Sequence, residues 1–199
     1  MIELQTNDLV FAKVKPNAII PTKEKENAGY DIYACFDEDY MVIPPHSTKL
    51  IPTGIASAVS DKYYLQVHER SSTGSKGMKY GAGVVDSSYR GEIFVCINNI
   101  NSNEIIISKI SREELIEKYA TDEFKDGCKV LNYGGEFDNA YFDDPNFPFY
   151  EPIIYPYSKA IAQLIVHEVP VMNQYEVSYE ELKAIPSKRG TGALGSSGK

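Results

Sequence analysis

The sequence predicts an all-β barrel or sandwich, and three observations carry that expectation. Residues 9–100 are broken roughly every 8–12 residues by Pro, Gly, Asn or Asp, the spacing of short strands joined by turns. The runs between the breaks are rich in Val, Ile and Tyr, residues that suit a pleated, half-buried surface. A hydrophobic fraction of 43% and a charged fraction of 24% over 199 residues describe a soluble globular chain with room for one core.

In chain order the strand candidates are LVFAKV (9–14), YDIYACF (30–36), YMVIP (40–44), TKLIPTGIASAV (48–59), YYLQVH (63–68), EIFVCINNI (92–100) and AIAQLIVHEV (160–169). Pro44-Pro45 stops the third run, because proline cannot donate to a sheet ladder. Val84-Val85 forms a short apolar strand that ends in Asp86. Past residue 100 the texture changes. Ser111-Arg112-Glu113-Glu114 fits a capping box, and Leu115, Ile116, Tyr119 and Phe124 follow at helical spacing, so a helix is expected over about 111–126. Residues 132–157 are dense in Tyr, Phe, Pro, Asp and Asn without a period and read as an ordered, aromatic-rich loop. The last residues, 187–199, are small, polar and flexible in character. A single domain over 1–199 is expected, with 102–157 as an insert.

The net charge of −8 excludes broad binding to duplex nucleic acid, which needs a cationic face, but leaves room for a nucleotide. Cys35, Cys96 and Cys128 are not spaced as a zinc or redox motif, and His46, His68 and His167 form no metal pattern. No apolar run approaches the ~18 residues of a membrane span, and Met1-Ile2-Glu3 opens no signal peptide. A cytoplasmic protein without membrane association is the expectation.

Five polar stretches carry the chemistry. Asn27-Ala28-Gly29-Tyr30-Asp31 opens a strand and, taken alone, is a turn. Glu69-Arg70-Ser71-Ser72-Thr73-Gly74 sets one guanidinium beside three hydroxyls, the donor set a phosphate needs. In GAGVVDSSYRGEI (81–93) Asp86 stands at a strand end, either as a turn-starting residue or as a general base towards water. Gln163 is a lone amide in a buried-looking strand, and Arg189 sits among the glycines of the tail.

In their joint order AGYD, ERSSTG, GVVDSSYRGEI, AIAQLI and RGTGALGSSG resemble the five motifs of the homotrimeric dUTP diphosphatases (dUTPases). The resemblance covers residues 10–100 and 158–198. It implies a distorted jelly-roll barrel or sandwich carrying an inserted helix-plus-loop segment, assembled as a homotrimer whose sites draw on all three subunits. It implies hydrolysis of dUTP to dUMP and pyrophosphate by water attack at the α-phosphorus, limiting uracil in DNA and supplying dUMP for dTMP synthesis.

Carried onto this chain, the resemblance makes Asp86 the base for the attacking water. Arg70, Ser71, Ser72 and Gln163 become phosphate contacts, with Arg189, Leu194, Gly195, Ser196 and Ser197 in a lid closing over substrate. Gly83, Val84 and Val85 would present backbone to uracil, and Tyr89 would lie under the deoxyribose. Asp31 would face, through water, a Mg2+ carried by the triphosphate.

The chain departs from the family pattern in three places. Leu194 stands where the family's tail carries a stacking Phe, and Phe94 is the residue expected to supply aromatic cover instead. Ser158-Lys159-Ala160 replaces Gly-Asp-Arg ahead of the fourth motif. The 102–157 insert is long, and reads either as a helix and loop covering the barrel or trimer edge or as a surface for a protein partner. Cys96 occupies the position of the Glu on which dCTP deaminases, a related fold, depend. A catalytically weak regulatory relative is the other alternative.

Overall fold

The computed structural model describes residues 3–115, 117, 118 and 152–191. It forms two compact units, Met1–Val169 and Pro170–Lys199. Twelve strands are present among the described residues of the first unit: β1 (Leu9–Lys13), β2 (Gly29–Ile32), β3 (Tyr40–Ile43), β4 (Thr48–Pro52), β5 (Ile55–Val59), β6 (Tyr63–His68), β7 (Met78–Gly81), β8 (Val84–Val85), β9 (Phe94–Asn99), β10 (Ile105–Ser108), β11 (Ile153–Pro156) and β12 (Ala162–Glu168). They make four small sheets with orders β1-β5, β11-β10-β3, β2-β12-β6-β8 and β4-β9-β7. The predicted all-β class holds.

Most predicted runs become strands, with one division. The run 48–59 splits into β4 and β5 at Thr53-Gly54, where Gly54 takes φ +65 and lies against Ala18 and Cys35. A side chain there would be strained in backbone and in space alike. Alternation along β9 buries Val95, Ile97 and Asn99 and turns Phe94 outward. The core gathers such inward residues from three of the sheets, among them Ile32, Ile43, Ile51, Leu65, Ile97 and Leu164, with half-buried Leu9 and Phe11 of β1 packed against it. The buried amide of Asn99 is satisfied by donating to Ile43 O, Pro44 O and Asn103 O.

The segment expected to be an insert, 102–157, is rooted in the core at both ends. β10 is buried along its whole length and pairs antiparallel with β3. It also pairs with β11 in parallel register, Ile105 opposite Ile153. Parallel neighbours need a crossover of roughly a dozen residues or more. The intervening segment is therefore that crossover, and the excursion begins after Ser108. Its helix starts as predicted: Ser111 N donates to Glu114 Oε2 (3.1 Å) and Glu114 N to Ser111 Oγ (3.2 Å), with residues 112–115 helical and Leu115 buried. Glu117 and Lys118 are helical too, while residues 116 and 119–126 of the expected helix lie outside the described residues. So does the expected 132–157 loop as far as residue 151, and its end is not loop but the strand β11, which pairs with β10.

The unit Pro170–Lys199 contains a short helix that the sequence reading did not anticipate, α2 (Tyr179–Ala184), opened by a Ser178–Glu181 capping box. Met172, Tyr175, Val177, Leu182 and Ile185 line a shallow depression within this unit.

Candidate active site

Strands β2, β12 and β6 lie side by side, and their register sets Asp31 opposite Gln163 and Gln163 opposite His68. Two residues past His68 the chain turns into α1 (Ser71–Gly74), a single helical turn. Arg70 caps that turn with extended backbone; its N–H donates to Thr73 Oγ1 (3.1 Å), and the buried Thr73 hydroxyl donates back to Arg70 O (3.0 Å). Its backbone thus held, Arg70 reaches across β12 to β2. Nε donates to Asp31 Oδ1 (2.9 Å) and Nη2 to Asp31 Oδ2 (3.1 Å), a bidentate pair, while Nη1 meets Ala160 O and Ser72 Oγ, each at 3.4 Å. Both side chains remain about a third exposed. The fork is fixed in one plane, yet open to a ligand. Ser71 and Ser72 beside it are exposed.

Gln163 spends one N–H on Glu69 O (2.7 Å), so its amide is braced against the end of β6. Gly29 permits this: a Cβ there would lie 2.4 Å from Gln163 Oε1 and 2.9 Å from its Cβ. Sequence reasoning placed Gly29 in a motif without seeing this close approach. It counted the Thr73 hydroxyl as a phosphate donor and gave Glu69 no role, whereas Thr73 Oγ1 braces the Arg70 backbone and Glu69 O holds Gln163.

The third motif is built separately. Gly83 brings β8 against β6; a Cβ would meet Val67 O at 2.8 Å. Between β7 and β8, Ala82 adopts φ +47, a left-handed conformation disfavoured for a residue with a Cβ. Val85 is buried and Val84 outward. Asp86 to Tyr89 then form a turn, with Tyr89 N donating to Asp86 O (3.1 Å). The Tyr89 hydroxyl donates to Glu92 O (2.9 Å) over Gly91, where a Cβ would come within 2.4 Å of it. Glu92 in turn accepts from Gly54 N (2.7 Å), tying the hairpin to the β4–β5 turn. Phe94 is 42% exposed and sits opposite Pro52.

The structure brings Asp31, Arg70, Ser72 and Gln163 together but keeps Asp86 apart. Val85 pairs with Leu65, so Asp86 falls beside the Tyr64 level, whereas Gln163 pairs with His68. Four positions of β6 separate them, roughly 13 Å along the strand. Asp86 is exposed in this chain, with nothing among the described residues folded over its turn. Arg189 belongs to the second unit, where its N–H meets Ser187 Oγ (3.3 Å). Leu194, Gly195, Ser196 and Ser197 lie outside the described residues.

Comparison with known proteins adds a family. A dUTPase family profile matches residues 15–112. A deoxyuridine 5'-triphosphate nucleotidohydrolase of Leptospira interrogans is 34% identical over 99 residues, 48% of this chain and 68% of that protein. The cowpox virus protein of the same name is 32% identical over 148 residues, 68% of this chain and 99% of its own length. Among solved structures, the dUTPase of Staphylococcus bacteriophage 80alpha with dUPNHPP gives a TM-score of 0.60 at 20% identity, covering 98% of this chain and 100% of that one. A mutant dUTPase from phage phi11 of S. aureus, described for its coordination of a structural Mg(II) ion, gives 0.56 at 18% identity over 87% of this chain and 99% of its own. These two likenesses speak to the fold, which is the jelly roll of that family.

Proposed function

The chain belongs to the dUTPase family and is a dUTP diphosphatase, and from that premise we propose that Asp86 activates the water that cleaves dUTP at the α-phosphorus. The observation that carries the reading is the Arg70 fork, held in plane by both oxygens of Asp31 beside Ser72 and Gln163. A planar, braced guanidinium at an open sheet edge suits a triphosphate, whose hydrolysis is governed by positioning and charge stabilisation. Arg70, Ser71, Ser72 and the free N–H of Gln163 hold the phosphates. Gly83, Val84 and Val85 offer backbone to uracil, Tyr89 supports the sugar, and Phe94 covers the base. Arg189, Leu194, Gly195, Ser196 and Ser197 form the lid, on the strength of the motif order.

In the reaction the water oxygen bonds to the α-phosphorus, its proton passes to Asp86, and the bond to the bridging oxygen breaks to release pyrophosphate. Removing dUTP limits uracil in DNA and yields dUMP.

A single chain leaves Asp86 some four strand positions from the phosphate cluster, so the site is completed between chains. We assign a homotrimer, in which Asp86 of one subunit serves the Arg70 cluster of another. Burial of the Asp86 turn by that neighbour would supply the drying that the lone chain lacks.

Mg2+ fits the donor set as a substrate-borne ion. Both Asp31 oxygens already accept from Arg70, leaving lone pairs suited to water-mediated contact. No group of three His, Cys, Asp or Glu side chains converges among the described residues. When bound, the ion would neutralise phosphate charge.

The test is pyrophosphate release with dUTP, dTTP, dCTP and UTP. Strong preference for dUTP is expected, with activity vanishing in Asp86→Asn. Equal turnover of dTTP, or full activity in the variant, contradicts the assignment.

A further inference from the structure

We propose that Tyr155 and Tyr80 are positioning residues for the Arg70 guanidinium, with Tyr155 tying that group to the strand that closes the β10–β11 crossover. The proposal deepens the reading above and rests on Arg70 binding phosphate.

Two adjacent buried carbonyls are the link. Ala160 O accepts from Tyr155 Oη (2.7 Å) and from Arg70 Nη1 (3.4 Å). The next carbonyl, Ile161 O, accepts a hydrogen bond from Tyr80 Oη. Ala160 and Ile161 are 3% and 0% exposed, and Ile161 N donates to Ile32 O (2.9 Å), the neighbour of Asp31. One edge of the guanidinium is thus set by Asp31 and its far end by Ala160 O, and Tyr155 decides where that oxygen sits. In place of the long cationic side chain that the family motif carries there, this chain has a small Ala160 whose carbonyl is held by the Tyr155 hydroxyl.

Tyr80 works from the other side. It belongs to β7, which follows the α1 turn in which Thr73 Oγ1 braces the Arg70 backbone. Its N–H reaches Glu69 Oε1 (3.4 Å), and Glu69 O holds Gln163. Burial pushes the Tyr80 hydroxyl far above its ordinary pKa, so it stays a donor at any working pH. Tyr155 is 1% exposed and stands on β11, immediately after the crossover. An ordinary buried tyrosine merely needs an acceptor; these two share their acceptors' segment with the phosphate ligand.

A double-mutant cycle separates positioning from plain support. Tyr155→Phe keeps the ring and removes one hydroxyl, and is expected to lower kcat/KM for dUTP about 3- to 10-fold with little change in Tm. Arg70→Lys, which loses the fork, is expected to cost far more. In that background adding Tyr155→Phe should change kcat/KM less than about twofold, because no planar group is left to aim. The same fall in both backgrounds, or no fall in either, overturns the proposal. If Tyr155→Phe does not fold, the parallel cycle with Tyr80→Phe decides by the same criteria. Wild-type activity in Arg70→Lys would instead sink the phosphate role of Arg70, and this proposal with it.

Discussion

Arg70 stands with its bonds already made, meeting both oxygens of Asp31 while Thr73 holds its backbone. Asp86, four positions away along β6, is exposed on a turn held by the Tyr89 N–Asp86 O bond, by Arg90 Nη1 donating to Ser87 O and by the Tyr89–Glu92 contact. The contrast fits the roles proposed for the two residues. A phosphate ligand gains from being aimed in advance, since a guanidinium left to find its geometry spends binding energy on order. A base must lose water at the right moment, and a carboxylate dried permanently inside one chain would shift its pKa and weaken folding. On the proposed assignment the phosphate half is finished by one chain's fold, and the water half would be completed by a second subunit.

The largest effect belongs to the open half. Asp86→Asn is expected to lower kcat by about 10²–10⁴-fold with the thermal midpoint unchanged, since the exposed side chain carries little of the fold. Initial rates of pyrophosphate release check this, and a loss confined to KM would argue for binding instead. In the closed half, Arg70→Gln should lower kcat/KM by roughly 100-fold and also destabilise, because it strands Asp31. Gly29→Ala is expected to push the Gln163 amide off Glu69 O. A fall of roughly tenfold in kcat/KM and a cost of about 1–3 kcal/mol in denaturant unfolding should follow. Phe94→Ala should raise KM about fivefold through the lost aromatic contact, and unchanged kcat and KM would remove Phe94 from the site. The smallest effect is Ala82→Gly: relief of the left-handed backbone should stabilise the fold by about 0.5–1 kcal/mol with activity retained.

How much of this the sequence carried depends on where the partners lie. Strands β1 to β6, β9 and β12 were legible because turns punctuate them, and Ser111 with Glu114 announced a helix start that the structure contains. Ser178 and Glu181 form the same signature before α2 and could have been read the same way. β10 and β11 escaped, because a parallel pair has no turn between its strands and Ile153–Pro156 is embedded among aromatics and prolines. Within the site the residue types were readable: a fork with hydroxyls, a carboxylate after two valines. Their partners were less so. Asp31 was expected to face a substrate-borne Mg2+ through water, and its direct pairing with Arg70 could not be read beside that expectation. Tyr80 and Tyr155 act on the carbonyls of Ile161 and Ala160, and a backbone oxygen leaves no mark in sequence.

The claim that the two halves meet between chains is tested most directly by complementation. Arg70→Gln and Asp86→Asn are each inactive or nearly so, and each leaves the other half intact. Co-folded in equal amounts, they should recover about a quarter of wild-type dUTP hydrolysis, the share of sites pairing an intact Arg70 with an intact Asp86 from another subunit. A mixture no more active than its two components would place both halves within one chain and contradict the account.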